Sequence, residues 1–135
     1  MNAVDTNVLI YARDPRDPLK HKRARQLTAD MPDGRLLWQV ACEFIAASRK
    51  LTDVGYTQVQ AWRELEGLRD IWELIVPSEG VLLRAEQLAT THNLSFWDSM
   101  LVAACMEGGV TRLYTEDFDN SLFKSTGVEI VNPFS

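Results

Sequence analysis

Asn2-Ala3-Val4-Asp5-Thr6-Asn7-Val8-Leu9-Ile10-Tyr11-Ala12 decides how the rest of the chain is read. Residues 2–5 predict a short strand, and residues 7–12 a short helix with Thr6 as its cap, since a hydroxyl there can accept from an unpaired amide. The segments that follow keep this alternation. Asp14-Pro15-Arg16-Asp17-Pro18 is a break, because proline disfavours helix at itself and at its predecessor. A helix is expected over 19–30, a turn at Pro32-Asp33-Gly34, a strand edge at Leu36-Leu37 and a helix over 39–51 that stops at Thr52-Asp53-Val54-Gly55. Thr57 is placed to cap a helix reaching residue 70, on which Val59, Trp62, Leu65 and Leu68 predict a core-facing stripe. Residues 72–76 form a strand ended by Pro77, and helices follow over 79–91 and 95–107, the second closed by Gly108-Gly109. Residues 112–115 and 128–131 are the last strands. Strands alternating with helices predict one α/β domain over residues 1–135 with a mostly parallel sheet.

Four acids stand where this pattern makes them conspicuous. Asp5 ends the first strand, Glu43 sits among Val40, Ala41, Cys42, Phe44, Ile45 and Ala46, Asp98 follows Phe96-Trp97, and Asp117 follows Leu113-Tyr114-Thr115-Glu116. In open parallel sheets, sites form beyond the carboxyl ends of the strands. Asp5 and Asp117 are expected at that edge, and helices bearing Glu43 and Asp98 near their starts can aim acids at it. Converging carboxylates repel one another and resist desolvation, and a hard divalent cation with oxygen ligands is the simplest remedy. Each acid also has a bland role. Asp5 can start a turn, Ser95-x-x-Asp98 has the spacing of a capping box, and Asp117 lies in an acidic turn with Glu116 and Asp119.

Composition sets further bounds. The hydrophobic share of 46% and charged share of 24% are ordinary for a soluble globular domain, and no apolar run reaches a bilayer-spanning length. Nothing near Met1 looks like an export signal, so a reducing, cytoplasmic setting is expected. Cys42 and Cys105 are expected as small buried hydrophobes, and with His21 and His92 far apart a zinc site is disfavoured. His92 is expected at a helix end near the surface. The net charge of −5 hides a local excess, since Arg13, Arg16, Lys20, Lys22, Arg23 and Arg25 crowd residues 13–25 against Asp14 and Asp17. That stretch is either a phosphate-tracking patch or the solvated face of a helix.

Taken together, the motifs resemble the PIN domain, specifically the small single-domain ribonucleases that act as VapC-type toxins of toxin–antitoxin pairs. Val4-Asp5-Thr6-Asn7-Val8-Leu9-Ile10-Tyr11-Ala12 looks like the family's first strand and helix. Leu94-Ser95-Phe96-Trp97-Asp98-Ser99-Met100-Leu101-Val102-Ala103-Ala104 looks like its central motif, and Leu113-Tyr114-Thr115-Glu116-Asp117-Phe118 is similar to its last acidic motif. The Glu43 segment is linked by its place between the others. The likeness spans essentially the whole chain, in order.

The resemblance implies a PIN-like three-layer α/β/α domain in which Asp5, Glu43, Asp98 and Asp117 hold Mg²⁺ or Mn²⁺. Thr6, Asn7 and Thr115 would support them through hydroxyl or amide contacts. The implied activity is hydrolysis of RNA phosphodiesters, with Arg13, Lys20, Lys22, Arg23 and Arg25 available to bind RNA. A small antitoxin is the implied partner, seated in a groove for which Trp38, Phe44, Ile45 and the 59–68 stripe are candidates, and a homodimer is implied too. Other functions open to such a chain are a solitary nuclease in RNA processing or acting on DNA, and a silent antitoxin-binding protein. The family often carries a glycine soon after its last acid. Here Asp117-Phe118-Asp119-Asn120-Ser121 stands instead, which leaves the role of Asp119 open, while Glu116 is expected to face outward by strand alternation.

Overall fold

A computed structural model describes all of residues 1–135. The chain runs β1 (Asn2–Val4), α1 (Thr6–Tyr11), α2 (Pro18–Asp30), β2 (Arg35–Leu37), α3 (Trp38–Ala47), α4 (Gln58–Ile71) and β3 (Glu73–Ile75). It continues through α5 (Glu79–His92), α6 (Phe96–Gly108), β4 (Arg112–Tyr114), α7 (Phe123–Thr126) and β5 (Glu129–Val131). Two 3-10 turns, Ser48–Val54 and Asn120–Leu122, complete it.

Every strand pairing is parallel. β1, β4 and β5 form one ladder, with Val4 opposite Tyr114 and Tyr114 opposite Val131. β2 and β3 form another, joined to β1 by the bridge between Asn2 and Gly34 and by the Asn2 amide donating to Asp33 O at 3.0 Å. The strand order is therefore β3-β2-β1-β4-β5, and all five carboxyl ends face one edge. Gly34 is required at the join, because a Cβ there would run into the indole of the buried Trp72.

The helices cover both faces, giving the expected three-layer α/β/α sandwich. The main core gathers Val8 and Leu9 of α1, Ala24 and Leu27 of α2, Val40 and Phe44 of α3, and Leu101 and Cys105 of α6. A smaller core lies between α5 and α6, where Val81, Ala85 and Leu88 meet Val102, Ala103 and Leu122. α6 thus turns one face to the sheet and another to α5. No helix is long and apolar enough to cross a membrane.

Several local expectations need correction. Asp5, not Thr6, caps α1, its carboxylate accepting from the Thr6 amide, and the Thr6 hydroxyl is thereby released to other work. The helix expected over 39–51 leaves α geometry at Ala47, where the Ser48 hydroxyl donates to Ile45 O at 2.8 Å and competes for the backbone acceptor. Only the C-terminal half of the stripe on α4, Leu65 and Leu68, faces the core. Leu68 is 6% exposed, but Val59 is 60% and Trp62 is 58% exposed. A strict three-residue repeat drifts by roughly 60° per step on a helix advancing about 100° per residue, so Val59 ends nearly opposite Leu68. Phe44, expected on a groove wall, is fully buried, and Cys42, expected in the core, is exposed, whereas Cys105 is buried as expected.

Candidate active site

The register of β1 on β4 builds the first part of the site. Val4 is opposite Tyr114, so Asp5 and Thr115 leave the sheet side by side at its carboxyl edge. The Asp5 amide donates to Tyr114 O at 2.8 Å, which extends the ladder to the acid itself. Both carboxylate oxygens of Asp5 are occupied: Oδ1 accepts from the Thr6 amide at 2.7 Å and Oδ2 from the Thr115 hydroxyl at 2.8 Å. Thr115 is a hub, since its oxygen also accepts from Asn7 Nδ2 at 3.3 Å and from the Asp117 amide at 3.1 Å. One hydroxyl therefore ties Asp5 to the loop that carries Asp117.

The other acids arrive on helices. Glu43 lies within α3, where Gln39, one turn earlier on the same face, donates to Oε1 at 2.8 Å. The Thr6 hydroxyl, released from capping, donates to Oε2 at 3.1 Å. Asp98 sits in the first turn of α6, where Ser95 caps the helix by accepting from the Asp98 amide at 3.2 Å. The reciprocal bond of a capping box, from the Ser95 amide to the Asp98 carboxylate, is not made, in contrast to Thr57 and Gln60 on α4, which complete theirs. The Asp98 carboxylate is left for something else.

Asp5, Glu43, Asp98 and Asp117 line a single cavity of about 710 Å³. Trp38, Gln39, Ile75, Val81, Trp97, Met100 and Leu101 supply much of its remaining wall, and none of its fifteen lining residues is basic. The acids are not drawn into a tight ready-made cluster of three or more ligands. Electrostatics report the lack of a counter-charge. The Asp5 carboxyl is pushed up to about 6, chiefly by burial, with Asp117 and Glu43 adding repulsion and the bonds from Thr115 and Thr6 acting in the opposite direction. Nearby, Asn7 Oδ1 is buried without a hydrogen-bond partner. An all-oxygen donor set with excess negative charge and no protein cation fits a hard divalent ion such as Mg²⁺ or Mn²⁺.

Other sequence-derived candidates are placed differently. Glu116 does not simply face solvent, because it accepts from the Tyr11 hydroxyl at 2.7 Å and from Lys20 Nζ at 2.8 Å. Lys20 also lies over the rings of Tyr11 and Phe134. Asp119 is spent on the backbone, accepting from the Ser121 amide at 2.9 Å to cap the turn Asn120–Leu122. Within the basic stretch, Arg13 pairs with Glu64, Arg16 with Asp14, and Arg23 Nε donates to Pro133 O at 3.1 Å. Lys22 and Arg25 are exposed and outside every ion pair. Gln39 is a site residue that the sequence motifs do not single out, although its position four residues before Glu43 is a usable signal.

The fold is similar to that of a toxin–antitoxin complex from Klebsiella pneumoniae, at 20% identity and a TM-score of 0.69, covering 100% of this chain and 99% of that one. It is similar to VapC20 of Mycobacterium tuberculosis, a sarcin-ricin loop cleaving toxin, at 17% identity and a TM-score of 0.69, covering 96% and 98%. FitAcB of Neisseria gonorrhoeae is similar at 18% identity and a TM-score of 0.66, covering 98% of each chain. No curated protein matches the chain in sequence. The model of the PIN domain matches residues 3–128, so nearly all of this chain belongs to the PIN domain family.

Proposed function

We propose that the chain is a metal-dependent endoribonuclease and the toxin of a toxin–antitoxin pair. The observation that carries this is the meeting of Asp5, Glu43, Asp98 and Asp117 around one cavity that contains no basic residue. Asp5 and Asp98 would hold Mg²⁺ or Mn²⁺ directly, with Glu43 and Asp117 acting through water or on a second ion. When bound, the ion supplies polarisation of a phosphoryl oxygen and a lowered pKa for its water. The rest falls to the chain. Thr6 N–H and the Thr115 hydroxyl fix both oxygens of Asp5 before substrate arrives, so little reorganisation is needed. Gln39 and Thr6 hold Glu43 from two sides, where it can orient the attacking water. In-line attack then expels the 3′ oxygen and leaves a 5′ phosphate and a 3′ hydroxyl.

The similar fold from Klebsiella pneumoniae is that of a toxin–antitoxin complex, which supports a small antitoxin as partner here. The exposed Val59 and Trp62 on α4 supply apolar surface suited to such a partner. Homodimerisation and a cytoplasmic site of action belong to the same proposal.

The test is cleavage of RNA and of DNA by purified protein with Mg²⁺ or Mn²⁺, then with chelator. Cation-dependent cutting of RNA with DNA left intact is expected. RNA left whole at every cation concentration overturns the proposal, and preferential cutting of DNA favours a solitary nuclease.

A further inference from the structure

We propose that Glu116, gripped by Tyr11 and Lys20, is a positioning residue that holds Asp117 at the acidic cavity, and that Lys20 serves this grip rather than the phosphate backbone of RNA. This rests on the cation-dependent nuclease reading proposed above and deepens it at one of the four acids.

Asp117 is the one acid of the four that no helix carries or uses as a cap. It is exposed on the loop beyond β4, and its carboxylate accepts no hydrogen bond. Its place at the cavity must therefore be set through its neighbours. Thr115 faces the acids, donating to Asp5, and its oxygen accepts from the Asp117 amide at 3.1 Å. Phe118, the next residue, packs against both cores. Glu116, between Thr115 and Asp117, lines no part of the cavity and is drawn away from it to α1 and α2.

Both oxygens of Glu116 are taken there, Oε1 by the Tyr11 hydroxyl at 2.7 Å and Oε2 by Lys20 Nζ at 2.8 Å. The donors are themselves fixed first. Lys20 Nζ also donates to the Tyr11 oxygen at 3.3 Å and lies 4.8 Å from the Tyr11 ring centroid and 5.6 Å from that of Phe134. Phe134 meets Tyr11 edge-on at 5.1 Å, and Arg23 Nε holds the preceding Pro133 O at 3.1 Å. His21 Nδ1 donates to Tyr11 O at 2.8 Å. An exposed ion pair between two free side chains contributes little, and Arg112 with Glu129, 2.9 Å apart, is such a pair. The grip on Glu116 differs because pre-positioned donors from two helices converge on it and because its sequence neighbour is a site acid. Lys20 also neutralises a carboxylate that would otherwise compete with Asp117 for the cation.

Calorimetric titration with Mn²⁺ and steady-state RNA cleavage should be compared for the parent, Tyr11→Phe, Lys20→Ala, Lys20→Arg, Glu116→Ala, the double variant Tyr11→Phe with Glu116→Ala, and Glu129→Ala as a control. Tyr11→Phe removes only the hydroxyl and keeps the ring against Phe134, so the fold is not at risk. Tyr11→Phe, Lys20→Ala and Glu116→Ala should each weaken Mn²⁺ binding roughly tenfold and lower kcat by about as much, with KM for RNA little changed. Lys20→Arg should recover most of the loss, Glu129→Ala should show none, and the double variant should be no worse than Glu116→Ala alone. In metal-free protein, amide hydrogen exchange over residues 115–118 should be faster in the same three variants than in the parent. Additive losses in the double variant, parental Mn²⁺ affinity in Glu116→Ala, or a Lys20→Ala variant that raises only KM overturns the grip. A parent that binds no Mn²⁺ defeats the metal reading instead. The exchange measurement then decides the grip alone, since unchanged exchange in Glu116→Ala overturns it and faster exchange upholds it.

Discussion

The acidic cavity and the basic stretch over residues 13–25 differ in how sequence neighbours become structural neighbours. The four acids come from four separate segments, yet they share one cavity because parallel strands bring every carboxyl end to one edge. The basic residues are close in sequence and look like a patch, yet half of the six are committed elsewhere, Arg13 to Glu64, Arg16 to Asp14 and Lys20 to Glu116. The acids keep charge that no protein cation neutralises. Half of the bases have spent theirs. Charge left uncompensated is a better guide to function than charge that is merely dense.

The sharpest way to break this contrast is to remove charge from the acidic side. Asp5→Asn should cut RNA slower by two orders of magnitude or more, the scale of several kcal/mol of lost transition-state stabilisation. The metal-free variant should unfold at the same temperature as the parent or higher, because a buried uncompensated carboxylate has gone. Parental cleavage rates in a folded variant would contradict the assignment.

The pH dependence of stability has a definite sign. The Asp5 carboxyl titrates near 3.8 when unfolded and is pushed up to about 6 in the fold by burial, with Asp117 and Glu43 adding to the rise. Between those values the native state holds a proton that the unfolded state has lost. The contribution of Asp5 to metal-free stability therefore falls as pH rises from about 4 to about 6 and is level above. A cation in the cavity reverses this by favouring the ionised acid. Added Mn²⁺ should raise the unfolding temperature more at pH 7.5 than at pH 4.5, as calorimetry can show. An equal shift at both pH values would place the ion elsewhere.

A smaller effect is expected on the basic side. Lys22→Glu together with Arg25→Glu should weaken RNA binding several-fold and flatten its salt dependence, since these two are free of ion pairs. Lys20→Ala should act instead on the loop of Asp117, through Glu116. Unchanged binding in the double variant would mean that the stretch is a solvated helix face.

Much of the fold was legible because its punctuation is local. Pro18 at the start of α2, Thr57 before α4, Ser95 before α6 and Gly109 after it each act within a turn of chain. The alternation of elements, and with it the parallel sheet, followed from those marks. The misplacements have longer-range causes. Val59 and Trp62 looked like core because a three-residue spacing resembles a helical face over one turn and departs from it over three. Cys42 and Phe44 have equally apolar sequence neighbours, and only the packing of α3 decides that one faces the cavity and the other the core. Strand alternation cannot place Glu116, because its partners, Tyr11 and Lys20, lie at the other end of the chain. For Asp98, spacing alone leaves both cap and functional acid open, and the reciprocal bond to Ser95 that would complete a capping box is not made.

The central claim is that the four acids form one cation-binding centre, and Asp98 is the member with the strongest competing role. Isothermal titration of metal-free protein with Mn²⁺ at pH 7.5, for the parent and for Asp98→Asn, tests it most directly. The parent should bind with defined stoichiometry, and Asp98→Asn, still folded and still capped by Ser95, should bind at least about tenfold more weakly. Binding as tight in Asp98→Asn as in the parent would return Asp98 to the helix and contradict a four-acid centre.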